Sequence, residues 1–310
     1  MTKASKHAAK GVTGWTPPNL SGKVAVVAGA SRGAGRGIAV ALGHTGATVY
    51  VAGRTASGGP PPFDGAPGTI EDTAEEITRR GGRGIAVRAD CSVEADVAAL
   101  FARVEKEHGH LDLLANGVWG SSEQNNLQFF GKGKRAFWEL ESPPGWSESV
   151  MQGAYPCLLT SVYGARLMAP RRKGLIVHIT DHNDDDAGSS LFWLFYTLGH
   201  RAINRMAPAM HKELAKRNVA VIALCPGFMR TERVMMFVDK MSEAEKKKWG
   251  FDKSETTEYV GRAVASLAAD PKVLKKSGKL LYGGDLAGEY GFKDADGKDV
   301  GNFLKKMGMA

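Results

Sequence analysis

The chain has few cysteines and no long apolar run, and these absences count against several classes of protein. Its three cysteines, Cys91, Cys157 and Cys225, lie far apart, without paired or metal-ligand spacing. No apolar stretch approaches the roughly 18 residues of a membrane span, and the N-terminus lacks the apolar segment of a secretory signal. Disulfide scaffolds, zinc modules, membrane proteins and secreted proteins are therefore disfavoured, and we expect a cytoplasmic protein without a metal.

A large excess of charge of either sign is also absent. The sequence has 41 Lys and Arg residues against 33 Asp and Glu residues, and its net charge of +8 is small for a dedicated nucleic-acid protein. Part of the excess lies in the first ten residues. We therefore predict a flexible basic tail over residues 1–20 and no nucleic-acid or membrane partner.

The sequence does contain seven short apolar runs that alternate with helical patterns, and such runs are typical of strands buried on both faces of a sheet. The predicted strands are residues 24–28, 48–52, 84–87, 111–115, 175–179, 219–224 and 279–282. The first predicted helix starts at Ile38, and the others cover residues 70–79, 93–107, 146–168, 201–215 and 258–269. This alternation predicts a single α/β domain over residues 21–292, a Rossmann-type doubly wound parallel sheet of about seven strands. Residues 293–310 are predicted to form a C-terminal extension.

A glycine-rich turn follows the first predicted strand and precedes a helix. Its glycines, Gly29, Gly33 and Gly35, are spaced G-x-x-x-G-x-G, with Ser31 between them. Such a turn lets a phosphate approach the backbone, and the helix N-terminus supplies unpaired N–H groups and a favourable dipole. The context predicts a dinucleotide site. The alternative is that these glycines serve close packing only.

The end of the second predicted strand indicates which dinucleotide is bound. An NAD site places a carboxylate there to hold the ribose hydroxyl, but the sequence reads Ala-Gly-Arg-Thr over residues 52–55. Arg54 and Arg32 supply guanidinium groups suited to a 2′-phosphate, so NADP(H) is predicted. Each arginine taken singly could also be a surface charge.

The third and fourth predicted strands end in further candidate cofactor residues. Asp90 and Asn116 are placed to meet adenine and ribose, with Cys91 and Gly117 next to them. Two alternatives stay open, since Asp90 could neighbour a helix N-cap and Asn116 could be a turn residue. None of the cysteines has an activating base nearby in sequence, so unreactive thiols are predicted.

Together these motifs resemble the short-chain dehydrogenase/reductase family over nearly all of residues 20–292. The matching segments are Gly29-x3-Gly33-x-Gly35, Asp90, residues 111–117, Tyr196 and residues 226–231. The resemblance implies that Pro226, Gly227, Phe228 and Thr231 meet the nicotinamide, with Thr231 on its carboxamide. It also implies a homodimer or homotetramer that pairs through the two long helices.

The family's catalytic pattern is matched unevenly. In the family a Tyr protonates the substrate oxygen, a Lys four residues later lowers the pKa of that Tyr, a Ser polarises the carbonyl and an Asn supports a water relay. The resemblance assigns the tyrosine to Tyr196, but His200 stands at the lysine position. The serine position reads Thr180 or Asp181, with Thr180 preferred, and the asparagine position falls near Gly153.

The change from lysine to His200 alters the expected electrostatics around Tyr196. An imidazole with a pKa near 6.5 is mostly neutral at pH 7, whereas a charge about 4 Å away is worth roughly 4 kcal/mol, or about three pKa units. Tyr196 is therefore predicted to keep a pKa near 10 and to act as an acid rather than a base. The predicted activity favours reduction and slows at high pH. Alternatively, His200 faces solvent and Tyr196 merely packs.

Two further features bear on the substrate. The acidic run over residues 181–186 is a solvated loop, or it presents Asp181 to a cationic substrate such as an iminium, or it holds a metal. The aromatic residues predicted to line an apolar pocket are Trp119, Phe129, Phe130, Phe137, Trp138, Trp193 and Phe228.

The sequence thus predicts an NADPH-dependent oxidoreductase that reduces a C=O or C=N bond of a small, apolar or cyclic substrate. A second hypothesis is a catalytically degenerate NADP(H)-binding protein that senses or scaffolds, supported by the altered Asn, Ser and Lys positions. A non-redox use of the fold, such as isomerisation or dehydration, is the third.

Overall fold

Seven parallel strands form one sheet in the order β3-β2-β1-β4-β5-β6-β7. The computed structural model describes residues 14–62, 64–119, 138, 150–181 and 194–307. The strands are β1 (Val24–Ala28), β2 (Thr48–Gly53), β3 (Arg83–Arg88), β4 (Leu113–Asn116), β5 (Gly174–Ile179), β6 (Val219–Cys225) and β7 (Leu280–Tyr282). The strand order reverses between β1 and β4, the point at which open α/β sheets bind ligands. The predicted fold class is confirmed.

Helices cover both faces of the sheet. They are α1 (Gly33–His44), α2 (Ile70–Arg79), α3 (Glu94–His108), α4 (Tyr155–Met168), α5 (Leu194–Leu214), α6 (Glu232–Val238), α7 (Glu243–Lys248), α8 (Thr257–Ala269), α9 (Gly283–Tyr290) and α10 (Phe303–Lys306). Short 3₁₀ or π turns lie at Val150–Ala154, Ala215–Arg217, Phe251–Lys253 and Val273–Lys276. Helices α1, α2, α8 and α9 pack on one face, and α3, α4 and α5 pack on the other. No helix within the described ranges is both long and apolar enough to span a membrane.

Three predicted boundaries differ from the structure in ways that matter for the site. Helix α1 begins at Gly33 rather than Ile38, since its first residues are small and carry no apolar signal. Helix α5 begins at Leu194 rather than Arg201. Strand β4 ends at Asn116, one residue later than predicted. The second and third shifts place Tyr196 and His200 on a helix and Asn116 within the sheet.

Helices α1 and α8 cross at van der Waals distance through two glycines. A Cβ on Gly37 would lie 1.9 Å from the Thr257 carbonyl oxygen, and a Cβ on Gly261 would lie 2.4 Å from the Gly37 carbonyl oxygen. Any side chain at either position would separate the helices. This contact fixes α1, and with it the glycine turn, against the start of α8.

The segment after α9 is held on the domain by a buried arginine. Arg262 on α8 donates to the carbonyl oxygens of Lys293 (2.6 Å) and Asp294 (3.0 Å), and its guanidinium lies 5.0 Å from the Trp15 ring centre. Asp294 accepts hydrogen bonds from the backbone N–H (2.8 Å) and the hydroxyl (2.5 Å) of Thr256, the N-cap of α8. The C-terminal segment is thereby anchored at the start of α8. The division of the chain at residues 20 and 292 stays a prediction.

Candidate active site

The glycine turn between β1 and α1 lies against the end of β4. Gly29 and Gly33 have left-handed backbone conformations, with φ of +75° and +59°. A Cβ on Gly29 would lie 2.8 Å from the Gly117 carbonyl oxygen, and a Cβ on Gly35 would lie 2.2 Å from the Gly29 carbonyl oxygen. Ser31 is buried in the same turn. The turn therefore has no room for a side chain at Gly29 or Gly35, and a ligand can approach its backbone and the N-terminus of α1 directly.

The N-terminus of α1 binds a carboxylate that sequence reasoning missed. The backbone N–H of Gly33 donates to Oε2 of Glu232 at 2.7 Å. Thr231, which precedes Glu232, uses its hydroxyl to accept the backbone N–H of Val234 (3.1 Å) as the N-cap of α6. Its methyl group lies 3.8 Å from the position of a Cβ on Gly33. The pair shows that the turn attracts an anion and that the segment after β6 reaches it.

Arginines surround the carboxyl end of β2. Arg32 donates to the carbonyl oxygens of residues 67–68 at 3.1 and 2.8 Å, whereas Arg54 is 56% exposed and lies 3.7 Å from the Asp90 carboxylate. Burial lowers the pKa of Arg32, and the charges of Arg233 and Arg54 lower it further. Arg233 was not predicted from the sequence. The three guanidinium groups create a positive potential at the carboxyl end of β2. Among them, the side chain of Arg54 is the most exposed.

The carboxylate of Asp90 shapes the turn after β3. Its Oδ1 accepts the backbone N–H (2.9 Å) and the hydroxyl (2.6 Å) of Ser92, two residues before α3 begins. Cys91 is buried, and burial raises the pKa of its thiol to about 12. These contacts, with the pairing to Arg54, favour the alternative in which Asp90 shapes the start of α3. The raised pKa of Cys91 agrees with an unreactive thiol.

The side chain of Asn116 points between the sheet and α4. Its amide nitrogen lies within hydrogen-bond distance of the Cys157 carbonyl (3.3 Å), the Ser161 hydroxyl (3.2 Å) and His178 Nδ1 (3.3 Å). Its oxygen accepts the Thr160 hydroxyl at 2.7 Å. Burial lowers the pKa of His178 to about 4, so this imidazole is neutral. Because the side chain is committed to these contacts, the predicted cofactor contact of Asn116 can come only from its backbone.

Tyr196 on α5 meets Asp181, two residues after the end of β5. The Tyr196 hydroxyl donates to Oδ2 of Asp181 at 2.9 Å, and the Cys225 sulfur lies 3.9 Å from Oδ1. Burial raises the pKa of Tyr196 above its ordinary value of 10, and the charge of Asp181 raises it further. The phenol therefore keeps its proton beyond physiological pH, which goes further than the near-ordinary pKa expected from the sequence.

Thr180 is connected to the backbone of Asp181 through the side chain of Asn204. The buried Thr180 hydroxyl donates to Oδ1 of Asn204 at 2.5 Å, and the Asn204 amide donates to the backbone oxygen of Asp181 at 3.1 Å. Of the two candidates for the serine position, Asp181 is thus the one whose side chain contacts Tyr196, although the sequence favoured Thr180. Asn204 was missed, yet it follows His200 by four residues, a spacing that shares a helix face.

His200 lies in an aromatic cluster with Tyr196 and Trp119. The ring centres of His200 and Tyr196 are 4.3 Å apart, and Trp119 stacks on His200 at 4.0 Å with an interplanar angle of 15°. A Cβ on Gly153 would lie 2.7 Å from the Trp119 ring. The indole therefore fills the space in front of Gly153, the position that the resemblance assigns to asparagine. His200 is half-buried beside Tyr196 rather than facing solvent.

The predicted aromatic wall is described only in part. Trp119 joins the cluster around Tyr196, Phe228 is half-buried 5.9 Å from the Phe303 ring, and Trp138 is 72% exposed. The remaining predicted residues, Phe129, Phe130, Phe137 and Trp193, and the acidic residues 182–186 lie outside the described residues.

Comparison with known proteins decides the family. The family model for short chain dehydrogenases matches residues 23–242. The chain is 37% identical over 291 residues to mouse "Dehydrogenase/reductase SDR family member 1", which covers 92% of this chain and 87% of the mouse protein. The human protein of that name is 36% identical over 298 residues, with the same coverage. The chain belongs to the short-chain dehydrogenase/reductase family.

The fold agrees with that of solved family members. A short chain dehydrogenase from Mycobacterium thermoresistibile superposes with a TM-score of 0.73 at 20% identity, over 92% of this chain and 95% of that one. Membership of the short-chain dehydrogenase/reductase family supports an oxidoreductase function and a nicotinamide nucleotide as cofactor. On the resemblance, His200 is predicted to stand at the family's lysine position and Gly153 near its asparagine position.

Proposed function

We propose that the protein is an NADPH-dependent reductase of a C=O or C=N bond in a small, apolar or cyclic substrate, with Tyr196 as proton donor. The observation that carries the proposal is the 2.9 Å hydrogen bond from the Tyr196 hydroxyl to Asp181 at the carboxyl edge of the sheet. The glycine turn lies at the same edge and touches Gly117, only two residues before Trp119 in the Tyr196 cluster.

The residues at this edge fit a phosphorylated nicotinamide nucleotide. The turn leaves no room for a side chain at Gly29 or Gly35, and its helix N-terminus already binds the Glu232 carboxylate, whose place a diphosphate would take. The exposed guanidinium of Arg54 suits a 2′-phosphate. Bound NADPH would supply the hydride.

Tyr196 would hold and deliver the proton. Its pKa is raised, so the neutral phenol persists and can protonate an alkoxide that forms on the substrate. The same raised pKa makes the phenolate a minor species at pH 7, so Tyr196 is a poor base for alcohol oxidation. The site is therefore biased towards reduction.

Asp181 favours a cationic substrate over a neutral one. Tyr196 would pass its proton to the imine nitrogen, and the Asp181 carboxylate would stabilise the iminium cation so formed, which is a better hydride acceptor than the neutral imine. The same carboxylate opposes the negative charge that develops on a ketone oxygen. We therefore propose C=N reduction as the preferred reaction of this site.

We expect Asp181→Asn to lower kcat/KM for a cyclic imine at least tenfold, while kcat/KM for cyclohexanone stays the same or rises. The physical reason is the loss of one negative charge beside the substrate, since tenfold corresponds to about 1.4 kcal/mol of transition-state stabilisation. NADPH oxidation is followed at 340 nm with both substrates. Glu105→Gln, which removes an exposed carboxylate on α3, is the control and should change neither value. Equal losses for imine and ketone would contradict the preference.

The cofactor itself is tested by titration. We expect NADPH to bind at least tenfold more tightly than NADH, because the exposed guanidinium of Arg54 and its neighbouring arginines attract the 2′-phosphate, which NADH lacks. Arg54→Ala should narrow this ratio mainly through weaker NADPH binding. Equal affinities of the unmodified protein for the two nucleotides would refute the NADPH assignment.

The second candidate, a binding protein without turnover, is favoured by one observation. Trp119 fills the space in front of Gly153 and stacks on His200, so the family's water relay has no counterpart at these positions. NADPH binding without consumption across ketones and cyclic imines would support this candidate.

A homo-oligomer paired through α4 and α5 is also proposed. Leu158 and Val162 on α4, and Leu194 and Leu198 on α5, are large apolar side chains left exposed on these helices. Their burial in a second copy would remove apolar surface from water.

A further inference from the structure

Glu255 is a buried carboxyl group directly beneath the turn that follows β6. Its side chain is fully buried, and neither carboxyl oxygen makes a hydrogen bond to any described residue. Its backbone is locked to the turn, because the Glu255 N–H donates to Phe228 O at 2.9 Å and the Arg230 N–H donates to Glu255 O at 2.8 Å. Nothing in the proposed proton transfer uses this residue.

The carboxyl group of Glu255 supports the turn at Gly227. A Cβ on Gly227 would lie 2.7 Å from Oε2 of Glu255 and 2.8 Å from Cβ of Phe303. Burial raises the pKa of Glu255, and the backbone N–H of Gly227 opposes part of that rise. Glu255 and Phe303 of the C-terminal segment thus pack directly against the turn. A movement of the carboxyl group therefore displaces Gly227.

The surroundings of Glu255 favour its neutral form. Burial raises the pKa of Glu255 to about 8, and the negative charge of Asp294 adds to the rise. The hydroxyl of Tyr259 and the amide nitrogen of Asn302 are also buried without hydrogen-bond partners among the described residues. The titratable or charged groups around Glu255 are Asp294 on the C-terminal segment, Arg230 on the turn, Tyr259 on α8 and Cys225 at the end of β6.

We propose that Glu255 is a positioning residue that holds the Pro226–Phe228 turn in its cofactor-binding conformation only while its carboxyl group is protonated. This inference rests on the proposed function and on the family resemblance, which implies that this turn meets the cofactor. An ionised carboxylate without donors is not stable in this position. Ionisation therefore draws in water or pulls the Gly227 N–H towards the carboxylate, and either change displaces the turn.

The test is a titration of NADPH into the full-length protein between pH 6 and 9.5. We expect the Kd of the unmodified protein to be nearly constant below pH 7.5 and to rise about 30-fold by pH 9.5, because the binding-competent protonated form, with a pKa of about 8, is depleted. Glu255→Gln, which cannot ionise, should bind NADPH with a Kd that stays within twofold across this range. Glu258→Gln, in the first turn of α8 and paired with Arg80, should keep the pH dependence of the unmodified protein.

Thermal unfolding of the protein without cofactor gives a second readout. The folded-state pKa of Glu255 lies above its unfolded value, so the stability due to its proton is complete below about pH 4.5 and is lost as the pH rises through 8. The Tm of Glu255→Gln relative to the unmodified protein should therefore rise between pH 5 and 8 and level off above 8. Asp294→Asn keeps an oxygen that can accept from Thr256 but removes the negative charge that raises the pKa of Glu255. It should therefore move the rise in the Kd for NADPH to lower pH, and this test remains if Glu255→Gln does not fold.

The outcomes separate the two proposals. A Kd for NADPH that does not change with pH in the unmodified protein overturns the positioning role. A Tm difference that does not change with pH overturns the buried ionisation on which that role depends. Absence of NADPH binding at every pH refutes the proposed function instead, while the unfolding measurements still report on Glu255.

Discussion

Tyr196→Phe is expected to lower kcat for reduction by at least 100-fold while the Kd for NADPH changes less than twofold. The phenol hydroxyl is the only part removed, and general acid catalysis by a placed side chain is worth about 10²–10⁴ in rate. Tyr196 donates to Asp181 and its ring packs beside His200, so Phe keeps the ring contacts and loses the hydroxyl with its proton and its hydrogen bond. Single-turnover measurement of NADPH oxidation, with a separate binding titration, gives both numbers.

A matched control distinguishes chemistry from packing. Tyr163 on α4 also hydrogen-bonds a carboxylate, with its hydroxyl 3.1 Å from Glu94, but it lies outside the Tyr196 cluster. Tyr163→Phe should leave kcat unchanged. A Tyr196→Phe variant that retains more than a tenth of the activity would remove Tyr196 from the proposed role.

The pH dependence at saturating NADPH follows from the raised pKa of Tyr196. Because the phenol holds its proton above pH 10, ionisation of Tyr196 should not lower kcat between pH 7 and 9.5. A fall in kcat over this range that is absent from Tyr196→Phe would contradict the raised pKa. The Glu255 ionisation acts on Kd rather than on kcat, so the two effects separate when NADPH is saturating.

Gly37→Ala is expected to destabilise the protein by about 3 kcal/mol or more, because overpacking of a close contact exceeds any gain in helix propensity. The new methyl group would lie 1.9 Å from the Thr257 carbonyl oxygen, which is backbone and cannot rotate away. The corresponding fall in Tm is about 5–10 °C. Because α1 also carries the glycine turn, NADPH binding should weaken in the same variant.

Gly288→Ala on α9 is the control for glycine replacement in a helix. Gly288 is exposed, and a Cβ there would meet no atom within 4 Å. Alanine should therefore raise the stability by up to about 1 kcal/mol through helix propensity and a less flexible unfolded chain. Similar Tm values for the two variants would show that the contact between α1 and α8 is looser than the structure indicates.

The chemistry of the site was only partly accessible from the sequence. Tyr196 and His200 are four residues apart, so their shared helix face follows from local periodicity. The partner of Tyr196 does not, because Thr180 and Asp181 are adjacent and a shift of one residue decides which side chain reaches α5. No local sequence pattern indicates the roles of Glu232 and Glu255. Their contacts, with Gly33 and Gly227 respectively, join residues that are far apart in the chain and meet only in the folded protein.

The sequence by itself determined the alternation of strands and helices, the glycine turn and the family, because these depend on local periodicity and on backbone conformations that only certain residues adopt. Tertiary structure decided which carboxylate meets Tyr196, where Trp119 lies and which acid is buried without a hydrogen-bond donor. These features arise where segments far apart in the chain converge at the carboxyl edge of the sheet. Burial and electrostatic interaction there depend on distances of a few ångström, which local sequence patterns do not encode.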